Sequence, residues 1–173
     1  MLELRQLLPS DVVDISAAFA LLRWNKPASQ YERYLDEAAQ GVLTTIIARL
    51  DGLFVGYVTI KWESDYPPFR DAAVPEVRDL NVLPDFRHRR IGSRLMDEAE
   101  KLVMVRSRIA GIGVGFDPDY GAAQRLYVLR GYVPDANGGI SHGTRVKWGD
   151  SVTVDDDLVL YLTKTLDSAK SSH

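Results

Sequence analysis

The stretch Val42–Trp62 constrains the fold most, because it encodes a β-hairpin almost by itself. Two runs rich in β-branched and aromatic residues, VLTTIIARL and LFVGYVTIKW, flank the dipeptide Asp51-Gly52. Asp-Gly between such runs is the strongest short signal for a two-residue hairpin turn. The chain therefore contains antiparallel strands early, which excludes an architecture built only of helices or only of parallel strands.

Strand and helix patterns alternate around this hairpin, which predicts an α+β fold of a sheet packed with helices. LELRQLL near the start alternates as a strand does, and the next segment reads as a helix capped by Ser10 or Asp11. A second helix ends at Gly41, a usual place for glycine. Two later runs, 76–82 and 109–116, read as strands. We expect a loop over 64–75 and a further strand at 144–148.

Composition narrows the class of protein. The chain has 173 residues, 46% of them hydrophobic, so we expect a single domain over 1–173 with a short polar tail at 167–173. No cysteine is present, which excludes disulfides, thiolate metal sites and a cysteine nucleophile. Three scattered histidines give no zinc pattern, so no metal is expected.

Charge and hydropathy bear on partners and location. The formal net charge of −3 argues against a nucleic-acid-binding protein. The N-terminus lacks the apolar core of a signal peptide, and no run approaches the roughly 18 apolar residues of a membrane span. We therefore expect a cytoplasmic protein with neither a nucleic acid nor a membrane as its partner.

The stretch PDFRHRRIGSRL, Pro84–Leu95, lies where a strand ends and a helix begins near Ile91. Such a junction presents unpaired N–H groups at the positive end of the helix dipole, which favours an anion. Gly92 would let a phosphate approach the backbone. The stretch matches neither G-x-x-x-x-G-K-[ST] nor G-x-G-x-x-G. These residues alone support a solvated basic helix start as well as a phosphate site, and a nucleic-acid patch less well.

The strand IAGIGVGF has one nearly bare face. Alternation places Gly111, Gly113 and Gly115 on that face, opposite the apolar residues from Ala110 to Phe116. Glycine weakens a strand, so its repetition indicates either the close approach of a ligand or backbone, or close packing of a helix on the sheet.

Two motifs carry a resemblance to a known family. RHRRIG, Arg87–Gly92, resembles the pyrophosphate-binding motif Q/R-x-x-G-x-G/A of the GNAT superfamily of acyl-CoA-dependent N-acyltransferases, with Arg90 in place of the first glycine. AAQRLYVLRGY, which contains Ala123 and Tyr127, resembles that family's A-x-x-L-Y-x-x-x-G-F/Y segment. The spacing and order of elements match from about Leu2 to Leu166.

The resemblance implies a mixed, mostly antiparallel sheet flanked by helices in three layers, with strands 76–82 and 109–116 parallel, central and splayed. Acetyl-CoA, the implied co-substrate, would lie between those strands, and its acetyl group would pass directly to an amine of a small-molecule or peptide acceptor. A homodimer is also compatible with it. The residues implied in cofactor binding are the backbone of Leu80, Asn81 and Val82 for the pantetheine arm, the amides of Arg87, His88, Arg89, Arg90, Ile91, Gly92 and Ser93 for the pyrophosphate, and Tyr120 and Ala123. Arg90 would keep these amides available if its backbone stays in a helical region.

Tyr127 is the residue implied to stabilise or protonate the departing thiolate. Full transfer from a phenol to a free thiolate is uphill by roughly 2 kcal/mol, so a hydrogen bond that tightens as charge develops on sulfur fits better. Glu76 is the candidate general base, and Asp79 is its rival. A regular strand would direct the two carboxylates to opposite faces unless a bulge intervenes. An ordinary surface carboxylate, or a water chain as the base, is as well supported.

The acceptor is not named by any motif. Its contacts should come from the region of Trp24, the loop Tyr66–Ala73 and the segment Gly138–Thr144, where the acidic residues Asp65, Asp71 and Asp155 weakly favour a cationic amine. The competing interpretation is a CoA-binding sensor or regulatory module without catalysis. It would need the Arg87–Gly92 loop but not Tyr127. Nucleic-acid binding through the arginines is a weaker third hypothesis.

Overall fold

The computed structural model of the protein describes residues 1–167, so all of the predicted polar tail except Asp167 lies outside the described residues. These residues form two compact units. The first comprises Met1–Trp62 and Val77–Leu102, and the second comprises Glu63–Glu76 and the chain from Val103 onward.

Within residues 1–167, eight strands and five α-helices alternate, as the sequence predicts. The eight strands are β1 (Leu2–Gln6), β2 (Leu43–Leu50), β3 (Leu53–Lys61), β4 (Glu76–Val82), β5 (Ile109–Gly115), β6 (Val133–Ser141), β7 (Thr144–Arg145) and β8 (Leu158–Thr165). The five α-helices are α1 (Val12–Leu21), α2 (Ala28–Ala39), α3 (Pro67–Asp71), α4 (Ile91–Met104) and α5 (Gly121–Leu129). Together they make a mixed α+β fold of sheet strands flanked by helices.

In the first unit, β1 to β4 neighbour one another in chain order. The predicted hairpin is confirmed: β2 and β3 pair antiparallel, with Leu50 opposite Leu53. Asp51 and Gly52 have φ values of 49° and 83°, the positive values that a type I′ turn requires. Gly41 likewise has a positive φ just beyond the end of α2.

An aromatic core fills the space between these strands and helices α1 and α2. Phe19 is fully buried, and its ring contacts those of Trp24, Tyr31 and Tyr57 at centroid distances of 5.6, 6.4 and 5.9 Å. Burying a large apolar side chain contributes roughly 1.5–3 kcal/mol, so this cluster fixes α1 and α2 against the sheet. It also holds the connection between the two helices, which carries Trp24.

In the second unit, β8 pairs antiparallel with β5 on one side and with β6 on the other. The bare face of β5 is covered by aromatic rings. A Cβ added to Gly111 would lie 2.3 Å from the ring of Phe69, and one added to Gly115 would lie 2.6 Å from the ring of Tyr120. A Cβ added to Gly113 would lie 2.8 Å from Cγ1 of Val159 and 3.1 Å from the ring of Tyr161. Glycine is therefore required at these positions because side chains of the same unit pack directly against the backbone of β5.

Three local predictions need correction. The segment 64–75 contains the short helix α3, which two prolines start and Phe69 anchors in the core. The strand expected at 144–148 is confined to Thr144–Arg145, because a turn follows in which Asp150 N–H bonds to the Lys147 carbonyl. The strand predicted over 109–116 ends at Gly115, and Phe116 is half exposed beyond it.

Asp11 differs from its predicted role as a cap of α1. Its carboxylate is buried and accepts the backbone N–H of Leu8 and both terminal nitrogens of Arg5, at 2.7–2.8 Å. Arg49 completes the cluster with Nη2 at 2.7 Å from Oδ1. Asp11 therefore ties β1 and β2 to the turn that precedes α1.

Candidate functional site

The loop before α4 presents its backbone to solvent. Pro84–Phe86 form a single 3-10 turn, which ends when the Arg87 N–H bonds to the Pro84 carbonyl. The next backbone bond runs from Arg94 N–H to Arg90 C=O, at the first turn of α4. Amides at the start of a helix have no partner within the helix, so those of Ile91 to Ser93 can bind an anion. The Arg87 amide cannot do so while the 3-10 turn holds it, which corrects one residue of the predicted set.

Two residues of this loop have left-handed backbone. His88 and Arg90 both have φ of 61°. The condition that Arg90 stay in an ordinary helical region is therefore not met. Left-handed and right-handed residues in succession turn neighbouring N–H groups toward one point, which makes a concave anion site. His88 and Arg90 thus have the left-handed conformation that such a site uses, and Arg90 adopts it at a position where the motif has glycine.

The side chains of Arg87 and Arg89 contact residues on either side of the loop. Arg87 donates from Nε to the carbonyl of Val82 at 3.3 Å, and its guanidinium lies 6.0 Å from the ring centroid of Trp24. Arg89 lies over the ring of Phe86 at 5.4 Å. Arg87 therefore connects the loop to the end of β4 and to the region between α1 and α2.

The end of β4, Leu80 to Val82, is held close to β3. A Cβ on Gly56 of β3 would lie 2.5 Å from the carbonyl oxygen of Asn81, so only glycine allows this approach. Leu83 N–H bonds to the carbonyl of Val55 at 2.9 Å. The three residues are half buried, which leaves their backbone within reach of a ligand.

Asp79 lies within β4 with φ of 53°, the conformation of a residue at a β-bulge. The strand is therefore irregular at the point where the sequence analysis assumed regular alternation. Lys26 Nζ lies 2.9 Å from Oδ1, and Tyr57 Oη lies 2.5 Å from Oδ2. Burial raises the pKa of the Asp79 carboxyl, but the Lys26 charge and the phenol hydrogen bonds outweigh it and lower the pKa. Asp79 is thus a poor proton acceptor.

Glu76, its rival, belongs to the second unit and has a simpler environment. The side chain is buried, and its Oε2 accepts the Ser64 hydroxyl at 2.5 Å. The same hydroxyl accepts the backbone N–H of Tyr66 at 3.0 Å, which leaves its proton for Glu76. One carboxylate oxygen is therefore held in place.

Tyr127 projects from α5 and is 5% exposed. Its ring lies 6.0 Å from that of Tyr132, and its carbonyl accepts the Tyr132 N–H after the helix ends at a left-handed Gly131. Tyr120 stands one residue before α5, with its hydroxyl 2.8 Å from Asp156 Oδ1. Ala123 is half buried in the first turn.

One exposed group in the second unit has the residue types of a metal site. His142 Nε2 lies 3.3 Å from Asp155 Oδ2 and 3.5 Å from Asp157 Oδ2. Exposed ion pairs of this kind contribute little to stability. Of the three, the sequence analysis names only Asp155, as an acidic residue near the acceptor; His142 and Asp157 are exposed, and Asp155 is half buried.

Comparison with known proteins places this geometry in a family. The family model for the GNAT acetyltransferases matches residues 10–132 of this chain, which is well over half of it. The chain belongs to the GNAT acetyltransferase family. The matched range includes β4, the loop before α4 and Tyr127, so the two motifs that carried the resemblance lie within it.

One curated relative is an uncharacterized N-acetyltransferase of Archaeoglobus fulgidus, 31% identical over 100 residues. The match covers 56% of this chain and 64% of that protein, so it spans less than two thirds of the relative.

Within residues 1–167, no helix is long and apolar enough to cross a membrane.

Solved structures confirm the GNAT fold over the chain. An N-acetyltransferase from Staphylococcus aureus superposes with a TM-score of 0.70 at 14% identity, covering 96% of this chain and 99% of that one. The yncA protein of Salmonella typhimurium, solved with its cofactor acetyl-CoA, gives a TM-score of 0.68 at 13% identity and covers 100% and 98%. PaiA of Thermoplasma acidophilum, in complex with coenzyme A, gives 0.64 at 13%, covering 95% and 99%.

Within this GNAT protein, the predicted site residues divide between the units. Leu80–Val82 and Arg87–Ser93 share the first, where Arg87 joins the two groups. Glu76, Tyr120, Ala123 and Tyr127 share the second. Sequence reasoning missed the polar residues around Asp79, because they come from three other elements and no local motif signals them.

Proposed function

We propose that this protein is an N-acetyltransferase that passes an acetyl group from acetyl-CoA directly to an amine of a small-molecule or peptide acceptor. The observation that carries the proposal is the loop of His88–Ser93, in which His88 and Arg90 have left-handed backbone directly before the amides that lack a helical partner at the start of α4. A pyrophosphate fits such a site, and the exposed arginines add charge that attracts it. Family membership supports the same donor.

Two further groups contribute to donor binding in this proposal. The backbone of Leu80, Asn81 and Val82 hydrogen-bonds the pantetheine arm as an added strand would. Tyr120 and Ala123 are the other cofactor-binding residues of this proposal, although the hydroxyl of Tyr120 is already bonded to Asp156. Tyr120 therefore contributes its ring rather than its hydroxyl.

The chemical step forms an N–C and an S–H bond and breaks a C–S and an N–H bond. The acceptor nitrogen attacks the thioester carbonyl, the C–S bond breaks, and the nitrogen loses a proton. Glu76 accepts that proton, directly or through water, because Ser64 holds one of its oxygens and its carboxylate carries fewer hydrogen bonds than that of Asp79. Tyr127 donates a hydrogen bond to the departing sulfur, which takes up a proton from solvent to become the thiol of CoA. Glu76 returns its proton to solvent, so one proton moves from nitrogen to sulfur overall.

The acceptor in this proposal is a cationic amine. A pocket of about 460 Å³ beside Trp24 is lined by residues of α1, Ser16 among them, and by Asn25 and Lys26. In the second unit, Tyr66 donates to Asp135 at 2.7 Å, and Asp65 and Asp71 are exposed on the segment that carries α3. Acidic groups on this segment favour a positively charged acceptor.

The decisive experiment measures coenzyme A binding by calorimetry and thiol release from acetyl-CoA with a panel of amines. Tyr127→Phe should lower turnover at least tenfold and change cofactor affinity less than twofold. Tyr132→Phe removes the same atom from the neighbouring ring and serves as the matched control. Unchanged turnover in Tyr127→Phe would remove Tyr127 from the mechanism. Binding without turnover across a broad panel would favour the CoA-binding sensor.

Glu76→Gln tests the base. We expect the largest loss of rate at low pH, where deprotonated amine is scarce, and a smaller loss at high pH. Glu63→Gln, at an exposed position of the same segment, is the control. A loss that is uniform over pH contradicts the role of Glu76.

The homodimer and the cytoplasmic location stay predictions. Sedimentation velocity tests whether the protein is a homodimer.

A further inference from the structure

The carboxylate of Asp79 is surrounded by donors from four elements of the first unit. Tyr57 comes from β3, Asn81 from β4 itself, Gln30 and Tyr34 from α2, and Lys26 from the connection before α2. Oδ1 accepts Lys26 Nζ and Asn81 Nδ2, each at 2.9 Å, and Oδ2 accepts Tyr57 Oη at 2.5 Å, Tyr34 Oη at 2.8 Å and Gln30 Nε2 at 3.2 Å. Five donors use the whole accepting capacity of a carboxylate.

The protonation states of the donors match the negative charge of the Asp79 carboxylate. Burial raises the pKa values of Tyr34 and Tyr57, so both phenols keep their protons and act as donors. Lys26 also lies over the rings of Phe19 and Tyr57, at 5.7 and 5.5 Å from their centroids. The ammonium is thus paired with a carboxylate and covered by aromatic faces. Of these groups, the proposed function uses only Lys26, which lines the pocket beside Trp24.

The same residue has an unfavourable backbone. A left-handed conformation at a non-glycine residue is uncommon and persists only where the surroundings hold it. Two side chains satisfy the carbonyls around the irregularity: Asn81 Nδ2 donates to the Asp79 carbonyl at 3.2 Å, and Thr59 Oγ1 donates to the Arg78 carbonyl at 3.0 Å. Hydrogen bonds therefore fix the bulge both at the Asp79 carboxylate and at the backbone carbonyls of Arg78 and Asp79.

We propose that Asp79 is a positioning residue: its carboxylate fixes the bulge of β4 and so sets the direction in which the backbone of Leu80–Val82 is presented to the donor. The inference rests on the proposed function for the identity of that ligand. Lys26 lines the pocket beside Trp24 and donates to the Asp79 carboxylate. This contact fixes that side of the pocket against β4.

Asp79→Asn tests the proposal, with Asp11→Asn as matched control. Both residues are carboxylates held by several donors in the first unit, and both substitutions keep the size of the side chain. We expect Asp79→Asn to weaken coenzyme A binding at least tenfold at a temperature where circular dichroism shows both variants folded. Asp11→Asn should change it less than twofold. Equal affinity of Asp79→Asn and the wild type overturns the proposal.

Asp79→Gly separates the carboxylate from the backbone conformation, since glycine adopts a left-handed φ freely. Weak coenzyme A binding by Asp79→Gly is expected, and binding at the wild-type level would show that the carboxylate positions nothing. Backbone hydrogen exchange at 80–82 gives a second readout that needs no ligand. It should accelerate in Asp79→Asn and not in Asp11→Asn. A wild type that fails to bind coenzyme A would refute the proposed function, while the exchange result would still decide the role of Asp79.

Discussion

The bulge at Asp79 and the loop at Arg90 solve one structural problem in two ways. Both place a non-glycine residue in the left-handed region, with φ of 53° and 61°. Asp79 is held by five donors around its carboxylate. The side chain of Arg90 is exposed, and within residues 1–167 it makes no side-chain hydrogen bond or ion pair. The difference teaches that an unfavourable backbone is compensated locally at the bulge, whereas the loop depends on its neighbours and on whatever anion it binds.

Replacing Asp79 by glycine should therefore destabilise the protein, although the backbone becomes easier to form. The substitution leaves the mostly buried Lys26 ammonium and two phenols without their shared acceptor, which costs about 3–5 kcal/mol. Relief of the left-handed residue returns about 1 kcal/mol. We expect the free energy of unfolding, measured in urea, to fall by about 3 kcal/mol. A variant as stable as the wild type would show that the network holds nothing.

Asp11 sharpens the comparison, because it has a similar donor set on an ordinary helical backbone with φ of −82°. Burial raises the pKa of its carboxyl, but hydrogen bonds from Arg5, the Leu8 amide and Arg49 outweigh this and lower the pKa from 3.8 to about 2. A lowered folded-state pKa contributes stability that is present above pH 4 and is lost as the pH falls through 4 toward 2. The contribution is roughly 2 kcal/mol.

Urea unfolding between pH 5 and pH 2.5 should therefore show a steeper loss of stability in the wild type than in Asp11→Asn, which has no proton to bind. Asp79 adds to the slope in the same direction, because its pKa is lowered too. Equal slopes for the wild type and Asp11→Asn would contradict the assignment.

The sequence predicted well those parts that local chemistry determines. Asp51-Gly52 fixed the hairpin, and the run 76–82 matches β4 at both ends. The predicted helix start near Ile91 agrees with α4, which begins at Ile91. The bulge could not be predicted, because EVRDLNV contains no glycine or proline and the donors of Asp79 lie up to 53 residues away. The glycines of β5 predicted a close approach, but only the tertiary structure shows that Phe69, Tyr161 and Tyr120 make it.

The smallest effect is expected at Arg90, with the sign opposite to that at Asp79. Glycine removes a left-handed cost of about 1 kcal/mol but makes the unfolded chain more flexible by about half of that. Arg90→Gly should therefore raise the free energy of unfolding by about 0.5 kcal/mol, measured in urea. Arg89→Gly, one residue earlier and outside the left-handed region, is the matched control and should lower it. If Arg90→Gly is destabilising, its side chain holds the loop as Asp79 holds the bulge, and the two regions are alike after all.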